Sequence, residues 1–202
     1  DVLDQLAAVQ VFSVIISGGE IFLRPDLLEI VSHARALGIF VQLKSHGGAI
    51  DAHVASELER LGVTSVAISY YSVDATIHDT ITRRPGSHTQ TLAAIRTLAQ
   101  SSVHVLVSCS VMESNRAGVP DVERQMTELG VSVSFDGLIR VAQSGDTTPL
   151  NTSLDLDGLV DLSLVQEGEK EACLPSETRS DWNSKKNCTA GYFCWVIWRE
   201  KA

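Results

Sequence analysis

Two glycine pairs stand beside residues able to bind charge: Ser17-Gly18-Gly19-Glu20 and Lys44-Ser45-His46-Gly47-Gly48. Two more polar clusters follow, Ser69-Tyr70-Tyr71-Ser72-Val73-Asp74 and Ser108-Cys109-Ser110 running toward Glu113 and Asn115. Adjacent glycines let a ligand approach the backbone, and Ser, His, Asp and Glu hydrogen-bond sugar hydroxyls or an amine. That combination suits a small-molecule pocket. Each Gly-Gly pair also reads as a tight turn, and His46 or Ser69 alone as an ordinary loop residue. Neither G-x-G-x-x-G after the first complete strand nor G-x-x-x-x-G-K-[ST] occurs, which argues against dinucleotide and P-loop chemistry. Glu20 and Asp74 could form a carboxylate pair, but their separation is not readable here.

The elements between these clusters explain how they could meet. Residues 13–17, 39–45, 64–69, 103–111 and 131–135 are short and rich in β-branched residues, so they read as strands. Leu27, Ile30, Val31, Ala34 and Leu37 keep helical spacing, as do Val54, Leu58 and Leu61. Leu92, Ile95, Leu98 and Ala99 make a third apolar face, and Val122, Met126 and Leu129 a fourth. Pro25-Asp26 and Asp51 mark helix starts, while Gly38, Gly62 and Gly130 follow helix ends. Strand alternating with helix implies parallel strands joined by crossovers. The expected fold is α/β, a doubly wound sheet or a (β/α) barrel. In both, the polar clusters fall at the carboxyl ends of the strands, where such folds place ligands.

The ends depart from this rhythm. Residues 1–10 read as a helix with no strand before it, so the array looks incomplete, lacking its first strand. Residues 154–165 read as a last helix or strand, 166–187 as a polar linker, and 191–198 as an aromatic, strand-like start of another unit. The chain of 202 residues is long enough for one sizeable core. Its net charge of -9 argues against a general nucleic-acid or membrane-surface binder. No apolar run approaches a membrane span, and no signal-peptide pattern is visible. Four cysteines, Cys109, Cys173, Cys188 and Cys194, are too few for a disulfide framework, so a reducing cytoplasm is expected. Asn151-Thr-Ser and Asn187-Cys-Thr fit the glycosylation sequon as chance matches.

Taken in order, the polar clusters resemble the radical S-adenosylmethionine (radical SAM) superfamily, in its branch with a C-terminal SPASM extension. Residues 16–47 are similar to that family's strand, Gly-Gly-Glu, proline, helix, strand and Thr-Asn-Gly phrase. Residues 66–99 resemble its serine-bearing fourth strand, His-Asp pair and Pro-Gly-Ser helix start, and 107–115 its fifth strand. The resemblance covers about residues 1–165 and implies an incomplete radical SAM (β/α) barrel. It implies S-adenosylmethionine and a [4Fe–4S] cluster as cofactors. It assigns Gly18, Gly19 and Glu20 to the cofactor's amino group, Ser45 and Gly47 to the Thr and Gly of Thr-Asn-Gly, and Ser69 to its ribose or carboxylate. Asn115 matches an Asn common after strand five.

Several positions depart from that pattern. His46 replaces the Asn of Thr-Asn-Gly, Tyr70-Tyr71-Ser72 alter the loop after Ser69, and Thr82 stands where an arginine is usual. Arg83 and Arg84 could still pair with a substrate carboxylate. The hallmark Cys-x3-Cys-x2-Cys, which holds the cluster, belongs just after the family's first strand, and this sequence contains no such triplet. Residues 188–202 resemble the start of a SPASM domain, with Cys188 as first ligand of an auxiliary cluster. Cys194 and Cys109 read as buried thiols.

Two functions therefore compete. One is a radical SAM enzyme that, when intact, forms a 5′-deoxyadenosyl radical to modify a peptide or related substrate. In that reading the chain as given, lacking the cluster-binding segment, is inactive. The other is a non-catalytic peptide-binding or regulatory module derived from such a barrel. An unrelated (β/α) enzyme acting on a phosphorylated metabolite fits the motif order worst.

Overall fold

The computed structural model describes residues 1–142 and 144–162. Five strands form one parallel sheet in strict chain order: β1 (Ser13–Ile16), β2 (Phe40–Ser45), β3 (Ser65–Ser69), β4 (His104–Ser110) and β5 (Ser132–Asp136). Every expected strand is present, each within a residue or so of the expected bounds. The helices are α1 (Val2–Ala8), α2 (Leu27–Ala36), α3 (Ala52–Arg60), α4 (Ala75–Thr82), α5 (Ser87–Leu98) and α6 (Val119–Glu128). Residues 156–162 are also helical. The sheet is open and each strand pairs with the next in the chain, so the architecture is the partial (β/α) barrel rather than the doubly wound alternative.

The period-two alternation of the strands sorts the sheet into two faces. Val41, Leu43, Val66, Ile68, Val105, Val107 and Cys109 point to one face and are buried. They join Leu27, Val31, Leu58, Ile95, Leu98, Val122 and Met126 of the helices in a single core. The register aligns the other face across the strands, Gln42 beside Ser65, Lys44 beside Ala67, and Ser69 beside Ser108 and Ser134 in turn. That face is half-exposed and mostly polar.

The helix boundaries have local causes. Asp51 caps α3 by accepting from the Val54 N–H, and Asp74 caps α4 by accepting from Thr76 and Ile77. Gly38, Gly62 and Gly130 follow α2, α3 and α6 at φ of +80°, +68° and +67°, the left-handed region that glycine adopts without strain. Asp26 does precede α2, but its carboxylate pairs with Arg24 instead of capping the helix. Helix α4 was not among the periodic segments because only one of its residues, His78, is buried. Residues 166–187 and 188–202, expected as a linker and a SPASM-like start, lie outside the described residues, as do Cys173, Cys188 and Cys194.

Candidate functional site

The parallel order brings the strand ends together, and there they enclose a cavity of about 390 Å³. Gly18, Gly19, Ser45 and Ser69, from the ends of β1, β2 and β3, line it together. So do His46, His78 and Arg84. Asp74 caps α4 and is not among the lining residues.

Glu20 is not itself a lining residue, but its carboxylate is held by Ser45 and His46, which are. Its side chain is 5% exposed. Oε1 accepts from the Phe22 N–H at 3.1 Å and from the Ser45 hydroxyl at 2.8 Å. Oε2 accepts from the His46 N–H at 3.0 Å and lies 3.1 Å from His46 Nε2. The Gly48 N–H donates to His46 Nδ1 at 3.0 Å, so the neutral ring carries its proton on Nε2 and gives it to Glu20. Four donors thus fill the acceptor positions of a carboxylate. Ser45 is itself held, since its oxygen accepts from the Gly47 N–H at 2.9 Å.

The glycines divide into two kinds. At Gly47 the backbone has φ of +83°, and a Cβ would sit 3.1 Å from the Ala94 Cβ, so the fold itself demands glycine. At Gly18 and Gly19 the backbone needs no positive φ, and a Cβ would meet nothing within 4 Å. The protein's own packing gives no reason for glycine there. The space in front of both residues is open, and both line the cavity.

The second wall comes from α4 and α5. Asp79 accepts from the Ser87 hydroxyl at 2.9 Å, from the His88 N–H at 2.8 Å and from the Gly86 N–H, so α4 caps α5. These bonds hold the Asp79 carboxyl below its usual range, the His88 backbone bond foremost. Behind the wall, Tyr70 donates to Gln125 Oε1 and meets His88 Nε2, both at 2.9 Å. Burial pushes the Tyr70 hydroxyl up to about 12 and the Cys109 thiol up to about 12, so both are neutral. Burial, helped by the nearby His88, pulls His78 down to about 4. Arg84 is exposed on the rim and pairs with no carboxylate among the described residues. Arg83 instead ends α4 in the left-handed conformation, at φ of +56°.

Asn115 is not among the lining residues. Its Nδ2 donates to the carbonyls of Tyr71 at 2.9 Å and Ser110 at 3.0 Å, and its Oδ1 accepts from the Met112 N–H at 2.7 Å. At 2% exposure it ties the loop after β4 to the loop after β3, and so places Tyr71 in the cavity wall. His78, the histidine of the His-Asp pair in residues 66–99, lines the cavity, although the resemblance assigns it no role.

The model of the radical SAM superfamily matches residues 1–124. The chain belongs to the radical SAM superfamily. Among curated proteins it is similar to a PqqA peptide cyclase of Gluconobacter oxydans, 32% identical over 64% of this chain and 36% of the relative. It is also similar to the sporulation killing factor maturation protein SkfB of Bacillus subtilis, 28% identical over 97% of this chain and 48% of the relative. A third is the mycofactocin maturase MftC of Mycobacterium tuberculosis, 30% identical over 84% of this chain and 44% of the relative. The chain therefore spans less than half the length of these relatives. The solved structure of Streptococcus suis SuiB shares the fold at a TM-score of 0.68 and 14% identity, over 87% of this chain and 40% of that one. A domain of a pyruvate-formate lyase-activating enzyme from Bacteroides vulgatus does so at 0.60 and 16%, over 79% and 95%.

Proposed function

We propose that this radical SAM chain binds S-adenosylmethionine with its amino group against Gly18-Gly19-Glu20, within an enzyme that modifies a peptide. One observation carries the reading. Gly18 and Gly19 line an open cavity together with Ser45 and His46, the residues that hold the Glu20 carboxylate, although neither backbone conformation nor packing requires glycine there. An ammonium on a compact amino acid fits that opening, and a carboxylate is its natural partner. To receive it, Glu20 has to release one of its four donors. The imidazole of His46 is the one free to move, being 42% exposed, whereas the two backbone donors are fixed. Ser45 then keeps Glu20 oriented, and Ser69 faces the ligand from the end of β3.

S-adenosylmethionine, when bound beside a [4Fe–4S] cluster, supplies a carbon radical that takes a hydrogen atom from a substrate. Cluster ligands are usually cysteine thiolates, and the residues of this sequence do not provide them as the family pattern needs. Cys109 is 1% exposed, with its thiol neutral, and does not fit that role. Cys188 stays a candidate ligand for an auxiliary cluster, outside the described residues. The peptide substrate is supported by the relatives, which include a peptide cyclase and maturation proteins, and by SuiB, solved with its precursor peptide SuiA.

The test is Gly19→Val. Gly19 lies in a bend outside the left-handed region, open to L residues, and a Cβ there meets nothing, so the fold is kept. The valine side chain fills the ammonium's approach, and affinity for S-adenosylmethionine in equilibrium dialysis falls by about tenfold or more, the range of an overpacked contact. Wild-type affinity in a folded variant rejects the assignment.

A further inference from the structure

His78 lies under the cavity wall with a donor that has found no acceptor. Its Nδ1 accepts from the Tyr71 N–H at 3.3 Å, which places the ring proton on Nε2. Nε2 is buried and has no hydrogen-bond partner among the described residues, and the side chain as a whole is 0% exposed. The rings of Tyr70, Tyr71 and His88 surround it, with centroids at 5.1, 5.6 and 5.5 Å. None of these rings offers the N–H an oxygen within hydrogen-bond distance. Buried donors of this kind are rare, because leaving one unpaired costs free energy that a phenyl ring would not. The same residue lines the cavity, together with Gly19 and Ser69.

We propose that His78 is a ligand-reading residue of this cavity, whose Nε2–H donates to an acceptor oxygen of the adenosyl amino acid bound against Gly18-Gly19-Glu20. The inference rests on the S-adenosylmethionine reading above and adds a contact to it. The neutral ring suits the task, for it offers a donor without a second charge beside Arg84. The groups around it allow this state: His88 gives its own Nε2–H to Tyr70, and Asp79 is occupied in capping α5. The oxygen belongs either to a ribose hydroxyl or to the carboxylate of the amino-acid part, and both accept from an N–H.

The full chain is compared with its His78→Phe and His78→Gln variants in two measurements. His78→Phe removes the unpaired donor and also the acceptor of the Tyr71 N–H, so its unliganded melting curve serves to show that it folds. Its affinity for S-adenosylmethionine falls about tenfold, as expected for one lost hydrogen bond with its donor desolvated. His78→Gln keeps a donor and recovers part of that affinity. Methylthioadenosine, which lacks the carboxylate, tells the two oxygens apart. An equal loss for both ligands assigns the ribose, and a loss confined to S-adenosylmethionine assigns the carboxylate. If His78→Phe does not fold, the long-range proton–nitrogen spectrum of the wild-type imidazoles decides, because the Nε2–H resonance shifts downfield on saturation. Unchanged affinity in His78→Phe while Gly19→Val is weakened, or an unmoved resonance at saturation, overturns the role of His78 alone. Wild-type affinity in both variants overturns the S-adenosylmethionine reading beneath it.

Discussion

At the scale of single residues, two histidines do opposite work. His46 satisfies a carboxylate that the ligand should claim, and His78 waits for an acceptor that the described residues do not supply. Replacing His46 with alanine removes a competitor for Glu20. Affinity for S-adenosylmethionine should rise a few-fold, while that for methylthioadenosine, which has no ammonium, should not change. Parallel dialysis of the two ligands checks this. His78 also ties stability to pH. Its folded pKa of about 4 lies below the ordinary 6.5, so between those values the unfolded chain binds the extra proton. Stability is then full above about pH 6.5 and declines as pH falls toward 4, by about 1–3 kcal/mol. Denaturant melts from pH 7 to 4 should show that slope, and His78→Phe should flatten it. Neither role was readable from residue types. A histidine in a Gly-rich loop and another in a His-Asp pair look alike until their ring nitrogens have partners.

At the scale of elements, the legible part was what periodicity and punctuation encode. Branched residues gave all five strands, and Gly38, Gly62 and Gly130 gave three helix ends. The short α4 escaped because it rests on the protein with one buried residue, and that residue is polar. Its importance is architectural. Asp79 reaches across to cap α5 with three bonds, so the α4–α5 corner is locked by a single carboxylate. Asp79→Ala should lower the melting temperature by a few degrees and loosen the wall that carries His78. Hydrogen exchange at Ser87 and His88 should speed up, and unchanged exchange would mean that the cap is dispensable. Gly47→Ala should cost more than its size suggests, about 1–2 kcal/mol from the left-handed backbone alone. The contact with Ala94 adds to that. Chemical denaturation gives the figure directly.

At the scale of the whole molecule, the site is legible because parallel order forces it. Once consecutive strands are known to run the same way, Gly19, Ser45 and Ser69 must share an end of the sheet. The surroundings of Asn115 were not legible, because a sequence match records only the residue and its place in the order. It says nothing of whether the amide faces a ligand or three backbone groups. The 202-residue chain itself should produce no 5′-deoxyadenosine after anaerobic treatment with iron, sulfide and dithionite, because its one described thiol is buried in the core. Product above a no-protein control, lost in Glu20→Gln, would contradict that expectation and show a working cluster built from the remaining cysteines.

The strict β1-β2-β3-β4-β5 order also bears on how the molecule is made. Each strand's partner is the one synthesised just before it, so no strand has to wait for a distant segment before it can pair. During translation the sheet can grow by one strand and one helix at a time as the ribosome advances, with short loop closures at each step. Nascent chains stalled after β3 should therefore already resist protease over β1 and β2.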